Sequence, residues 1–348
     1  DRRHLLLPVL HALQARAGWI SPGGLRYVCE RLTVPPAEAY GVASFYAMFS
    51  IDQRPQTVVH MCDDIACKVA GAENLIGSLE RELGSERENQ LLRSPCLGMC
   101  EQAPAALVQS FGEGSSDSAL GHVNTSDLAA IARGEQWSIQ RSFGLPEQPG
   151  TFRLLKRVGV VDPSSLDDYR AHGGYESLRR AVELGPDGVI REMKDARLLG
   201  RGGAAFPAGV KWEAVAKQSV RPHYFICNAD ESEPGTFKDR VLMEKDPFAV
   251  IESLTIAGYA TGSEKGFIYI RGEYPNATAM LEGAIQKAYA HGFLGSDVMG
   301  EGFAFDVELR RGAGAYICGE ETSLFNSIEG KRGEPRNKPP FPVERGVF

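Results

Sequence analysis

Cys62-Asp63-Asp64-Ile65-Ala66-Cys67 and, further along, Ser94-Pro95-Cys96-Leu97-Gly98-Met99-Cys100 set four thiols in two tight pairs, C-x4-C and C-x3-C. Thiols grouped this way usually hold a metal centre. A 2Fe-2S cluster needs four thiolates from loops that bend around a small rhomb, two for each iron, and the two pairs supply that number. Structural zinc sites favour C-x2-C pairs, so the longer gaps weaken the zinc reading, and a disulfide is the remaining alternative. On spacing alone, an iron-sulfur site at Cys62, Cys67, Cys96 and Cys100 leads, with zinc second.

The surrounding pattern places these pairs. Thr57-Val58-Val59-His60-Met61 reads as a strand that delivers the first pair at its end. Leu75, Ile76, Leu79 and Leu83 recur at helical spacing, so 72–83 is expected as a crossover helix. Leu91-Leu92-Arg93 and 105–109 read as further strands, and both cysteine pairs are expected at loop tips at one end of a compact α/β unit, where functional loops usually sit. Upstream, Leu6, Val9, Leu10 and Leu13, then Leu25, Val28 and Leu32, mark a helical lead-in that Pro35-Pro36 should break. Phe45, Tyr46, Met48 and Phe49 offer bulk to dock it on the next element of the chain.

Composition narrows the function classes. A net charge of -7 with no clustered Lys and Arg argues against a nucleic-acid surface. The most apolar stretch, 248–260, is interrupted by Glu252 and is too short to span a bilayer, so no transmembrane segment is expected. The opening residues lack an apolar core with a small-residue cleavage site, so no signal peptide is expected. Seven cysteines, an odd number unevenly used, fit a reducing, cytoplasmic setting, and Cys29, Cys227 and Cys318 read as small buried side chains.

Residues 112–118 read as a surface loop, and 144–150, with two prolines, as part of a linker. Beyond it the chain turns glycine-rich and alternates strand and helix, with strands expected at 224–228, 267–271 and 303–309, a mainly parallel sheet. Four motifs decorate this half. Gly200-Arg201-Gly202-Gly203-Ala204-Ala205-Phe206-Pro207-Ala208-Gly209-Val210-Lys211 has glycines that let backbone N–H groups approach an anion, with Arg201 and Lys211 adding charge: a phosphate cradle, against the plainer reading of a tight turn. It formally matches the dinucleotide fingerprint, but 189–199 before it reads as helix rather than strand, which rejects an ordinary Rossmann motif. Cys227-Asn228-Ala229-Asp230-Glu231-Ser232-Glu233 follows a strand; its carboxylates suit a hard metal, hydroxyl-rich ligands or plain solvation equally. The glycines of 312–322, which lead into a helix at 323–328, suit close packing under a planar ring. The basic, proline-stiffened loop 331–342 could lie over an anionic cofactor.

The cysteine motifs, with Ala103-Pro104-Ala105 and the upstream Gly41-Val42-Ala43-Ser44-Phe45-Tyr46, resemble the thioredoxin-like 2Fe-2S subunit of respiratory complex I over about residues 1–135. From about 150 onward the four motifs resemble the FMN-binding, NADH-oxidising flavoprotein subunit of complex I, and the diaphorase subunits of NAD-reducing hydrogenases and NAD-dependent formate dehydrogenases. The resemblance implies α/β architecture throughout: a helical lead-in (1–50), a thioredoxin-like 2Fe-2S domain (51–138), a linker (139–185) and a modified Rossmann-like FMN/NADH-binding domain (186–348). It also implies that Gly200, Arg201, Gly202 and Lys211 hold the FMN phosphate and ribityl chain, and that Asn228, Asp230, Glu231 and Ser232 bind ribityl and ring polar atoms. Tyr316, Gly319, Glu320 and Glu321 would lie around the flavin and nicotinamide, Phe206 and Phe341 would stack on the dinucleotide, and Glu233 and Lys338 would contact it.

The implied activity is NAD(H):acceptor oxidoreduction through FMN and iron-sulfur clusters. Glu233 and Glu321 would tune the flavin and position the NAD(H). The implied partners are NAD(H) and the other iron-sulfur and catalytic subunits of a multisubunit redox complex, in the cytoplasm or at the inner face of a membrane. Relatives continue past the point matching Phe348 into an Asn-Asn pair, a ubiquitin-like domain and a 4Fe-4S domain, so a 4Fe-4S cluster is expected only if the native chain continues. Fusion of the two halves, and the likeness of 168–175 to the region just before the flavin domain in fused diaphorases, tilt the expectation toward a hydrogenase or formate dehydrogenase, with complex I or a non-enzymatic iron-sulfur carrier as alternatives.

Overall fold

The computed structural model describes residues 2–84, 90–135 and 152–348. The chain divides into two units, 1–148 and 149–348. The expected linker residues 144–150 lie outside the described residues.

The first unit begins with three helices, α1 (Leu6–Ala17), α2 (Pro22–Leu32) and α3 (Pro36–Phe45). Ser21 starts α2 by accepting from the Gly24 amide at 3.1 Å, and Pro22 fits the first helical position because its missing N–H would be unpaired there anyway. The same logic applies at Pro35-Pro36: the expected break falls between Leu32 and Pro36, and Pro36 then opens a further helix, α3. The three helices enclose a core of Leu10, Ile20, Val28, Leu32 and Phe49. Of the aromatic cluster expected to dock this layer elsewhere, Phe49 packs inward into it, while Phe45 is 80% exposed.

Next come β1 (Thr57–Cys62), α4 (Ile65–Val69), α5 (Ala72–Leu83), β2 (Leu91–Ser94), β3 (Ala106–Ser110), β4 (Ser116–Leu120) and α6 (Thr125–Ala132). The sheet order is β2-β1-β3-β4, with β1 and β2 parallel and the other pairs antiparallel. α5 and α6 press Ile76, Leu79, Leu128 and Ile131 against Val59, Met61 and Val108. Residues 116–118, expected in a loop, pair with β3 instead: Ser118 lies opposite Val108. Polar side chains suit this edge strand, whose face is half solvated.

The second unit contains α7 (Leu166–Ala171), α8 (Glu176–Asp195), α9 (Ala208–Ala216), β5 (Tyr224–Ala229), α10 (Lys238–Lys245), α11 (Pro247–Thr261), β6 (Lys265–Ile270), α12 (Pro275–Ala290), β7 (Asp306–Arg311) and α13 (Glu321–Ile328). β5, β6 and β7 form a parallel sheet in chain order, with Ala229, Ile270 and Arg311 in register at the carboxyl ends. α11 and α12 are the crossovers, and Phe248, Ile251, Leu254, Ala277 and Leu281 are buried against the sheet. Each large apolar side chain so buried contributes about 1.5–3 kcal/mol. Among the described residues no helix is long and apolar enough to cross a membrane.

The described part of 139–185 is no simple linker. Leu166, Tyr169, Tyr175 and Leu178 belong to the main core of the second unit. The carboxylate of Glu252, buried in α11, holds them there by accepting from the Tyr169 hydroxyl, the Tyr175 amide at 2.8 Å and the Leu178 amide at 3.0 Å. The charge that interrupts the apolar 248–260 run is the anchor for this segment.

Candidate functional site

In the first unit the end of β1 and the start of α4 bring Cys62 and Cys67 together, both buried, while the segment after β2 supplies Cys96 and Cys100. The four thiols line one small cavity with Asp64, Ala66, Leu97, Met99 and Ala105. Cys96 Sγ and Cys100 Sγ are 3.4 Å apart. Cys67 sits on a helix rather than at a loop tip. Burial, with the adjacent Cys62 thiol adding to it, pushes the Cys67 thiol up to about 12, so a thiolate here needs a bound cation to offset its desolvation.

Four thiols lining one cavity could hold two irons, Cys62 with Cys67 on one and Cys96 with Cys100 on the other. Sequence reasoning missed Asp64, whose Oδ1 accepts from the Ile65 amide at 2.7 Å and whose Oδ2 accepts from the Cys96 amide at 3.2 Å, joining the two cysteine segments. A carboxylate just before a short helix was the available signal.

In the second unit the motifs converge at the carboxyl ends of β5 and β7 and the start of α13, where open parallel sheets place ligands. The glycine segment folds back on itself: the Gly200 amide donates to Phe206 O at 2.9 Å and the Ala208 amide to Leu198 O at 2.8 Å. Gly203 takes φ +103°, which disfavours any side chain, and a Cβ at Gly209 would stand 2.8 Å from Lys194 N, so α9 can approach α8 only with glycine there. Arg201 and Gly202 are exposed, and no side chain caps α9. The expected helix before this loop is present as the end of α8.

The acidic loop splits into two roles. The Asn228 side-chain amide donates to Gly319 O at 2.9 Å, and the Ser232 hydroxyl to Asp230 Oδ1 at 2.9 Å. Asp230 Oδ2 is buried and unpartnered, 3.1 Å from where a Cβ at Gly319 would stand. Burial lifts the Asp230 carboxyl above its usual range; Ser232 and Arg271 oppose the rise and Glu273 adds to it. Such an orphaned acceptor suits a donor from a ligand, and hydroxyl groups of a ribityl chain are of that kind.

Glu231, expected on the cofactor, is engaged elsewhere. Its oxygens accept from the Asp239 and Arg240 amides at the start of α10, at 2.8 and 3.1 Å, and from the Tyr274 hydroxyl at 3.1 Å. The two unbonded amides of a helix start, together with its dipole, hold a carboxylate strongly.

Around the other rim, the Tyr316 hydroxyl donates to Glu233 Oε2 at 2.6 Å. Glu320 caps α13, accepting from the Thr322 and Ser323 amides, each at 2.9 Å. Burial opposes its ionisation, but the Thr322 hydroxyl, the Ser323 amide and Lys338 hold it below the usual carboxylate range. Lys338 Nζ lies 3.2 Å from Glu320 and 2.6 Å from Glu321, and Lys211 Nζ lies 3.7 Å from Glu321 Oε2. The glycine segment, α13 and the proline loop are thus linked through one carboxylate. Phe206 and Phe341 stand 54% and 52% exposed, available as stacking surfaces. Arg336 fastens the proline loop: its amide donates to Thr322 Oγ1 at 2.8 Å and its guanidinium to Asn326, Gly346 O and Glu329.

Comparison with known proteins agrees with this division. An NADH-quinone oxidoreductase subunit of Rhizobium meliloti is 52% identical over 196 residues, covering 56% of this chain and 47% of that protein. The NAD-reducing hydrogenase HoxS subunit alpha of Cupriavidus necator is 36% identical over 99% of this chain and 59% of its own length. A crystal structure of an NAD+-reducing NiFe-hydrogenase in the air-oxidized state aligns with a TM-score of 0.53 at 27% identity, covering 99% of this chain and 57% of that one. The chain therefore spans about half the length of the relatives it matches. Residues 1–132 match the thioredoxin-like 2Fe-2S ferredoxin family and residues 193–348 the Nuo51 FMN-binding domain, so one polypeptide carries a segment of each family.

Proposed function

We propose that this chain is a diaphorase module that oxidises NADH, or reduces NAD+, through FMN and passes single electrons onward through iron-sulfur centres. The observation that carries the reading is the buried, unpartnered Asp230 Oδ2 facing Gly319 at the carboxyl edge of the parallel sheet, in a domain of the FMN-binding family.

When bound, FMN supplies hydride acceptance and single-electron release. The protein's share is orientation and electrostatics. Asn228 fixes the Gly319 carbonyl, Asp230 and Ser232 present acceptors and a hydroxyl to the ligand's polar edge, and Gly200, Gly202, Arg201 and Lys211 take its phosphate. Phe206 and Phe341 present rings to the dinucleotide, and Glu233, Lys338 and Glu321 set its position. No side chain has to move a proton for hydride exchange, so Glu233 and Glu321 act by charge and placement. In the first unit Cys62, Cys67, Cys96 and Cys100 fit the four-thiolate requirement of a 2Fe-2S cluster.

The fused arrangement supports a cytoplasmic hydrogenase or formate dehydrogenase complex over complex I, since the alignment with the hydrogenase subunit runs across 99% of the chain, whereas that with the complex I subunit covers 56%. The test is to load the chain with FMN and assay NADH-ferricyanide turnover; a chain that takes up no FMN leaves only an iron-sulfur carrier. Nickel, against molybdenum or tungsten, in a co-purifying large subunit then separates hydrogenase from formate dehydrogenase.

A further inference from the structure

Arg271 directly follows the middle strand β6, between the acidic loop after β5 and the glycine loop after β7. Its guanidinium makes contacts toward both. NH1 donates to Glu231 O at 2.6 Å in the acidic loop. Nε and NH2 grip Glu273 at 3.2 and 3.1 Å, and Glu273 Oε1 stands 3.2 Å from where a Cβ at Gly314 would be, so the glycine loop packs directly on that carboxylate. Arg271 also lies over the Tyr274 ring at 5.1 Å, and Tyr274 donates to the Glu231 carboxylate. The Arg271 side chain is 21% exposed, and the planar fork of its guanidinium is what allows it to serve a carbonyl and a carboxylate at once.

We infer that Arg271 is the positioning residue of the flavin site: it joins the acidic loop to the glycine loop and aims Asp230 at the ligand. Glu231 fixes the far side of the acidic loop to α10, Arg271 fixes its backbone, and the residue between these anchors and β5 is Asp230. The inference rests on the flavin reading above. Arg271 itself need not touch the ligand; it acts through the loop and through its charge, which opposes the tendency of burial to neutralise Asp230.

The experiment measures FMN affinity of the full chain by flavin fluorescence quenching, with melting of the flavin-free chain as a fold control. R271M is expected to weaken FMN about tenfold while D230N/R271M is only about threefold weaker than D230N, because contacting pairs are non-additive. Equal losses in the two backgrounds, or wild-type affinity in R271M, overturn the inference. If R271M does not fold, R271K decides: it keeps the charge and loses the fork, and is expected to bind about threefold more weakly. Wild-type affinity in R271K overturns the inference. Failure of the wild-type chain to take up FMN overturns the flavin reading first, and is seen before any substitution is made.

Discussion

Lys338 donates to Glu321 at 2.6 Å, tying the proline loop to the first turn of α13. Both side chains are about a third exposed, so the pair contributes no more than about 1 kcal/mol to stability. In the proposed diaphorase its role is placement of the dinucleotide. Replacing Glu233 and Glu321 together by alanine is expected to raise the KM for NADH about fivefold and leave melting nearly unchanged, a signature of lost ligand positioning. Unchanged turnover and KM in the NADH-ferricyanide assay would remove both residues from that role.

Substituting Cys67 by serine, at the buried end of the four-thiol cavity, is expected to abolish cluster assembly. Iron and acid-labile sulfide analysis checks this. Wild-type protein should carry two irons per chain and no stoichiometric zinc; zinc without iron would convert the first unit into a zinc module.

Glu252→Ala would leave the Tyr169 hydroxyl and the Tyr175 and Leu178 amides without their acceptor in the core of the second unit. Unsatisfied buried donors make a loss of about 3 kcal/mol the expected outcome in denaturant unfolding. A loss below about 1 kcal/mol would show that water replaces the carboxylate and that the segment is not anchored by it.

His60 is buried in β1 with Nε2 2.9 Å from Gln109 Oε1, and burial first, then Arg54, depresses its pKa from 6.5 to about 4. In the unfolded chain it protonates near 6.5. The stabilisation is therefore complete above that value and is lost as pH falls from 6.5 through 4, amounting to about 3 kcal/mol for a shift of this size. Unfolding of His60→Gln should be less steep over that window than wild type; parallel curves would contradict the buried neutral imidazole.

Much of this was legible in the sequence because the physics was local. Leu75, Ile76, Leu79 and Leu83 mark α5 by period alone, and the two cysteine pairs singled out by their spacing line one cavity. What escaped depends on partners far along the chain. Pro36 opens a further helix after the expected break because of where it stands in the first turn. Residues 116–118 look like loop until 108–110 of β3 pair with them. Glu231 and Asp230 are adjacent carboxylates in one loop, and only the fold turns one to α10 and leaves the other facing Gly319. Residues 166–178 read as linker because their anchor, Glu252, lies on α11.

The most direct test of the diaphorase reading is anaerobic titration of the FMN-loaded chain with NADH, followed by flavin absorbance. The expected result is stoichiometric bleaching of the flavin band, reversed by ferricyanide. Bound FMN that NADH leaves oxidised would contradict the diaphorase reading, because the loops around Glu233, Glu321 and Lys338 would then hold a flavin without admitting the dinucleotide.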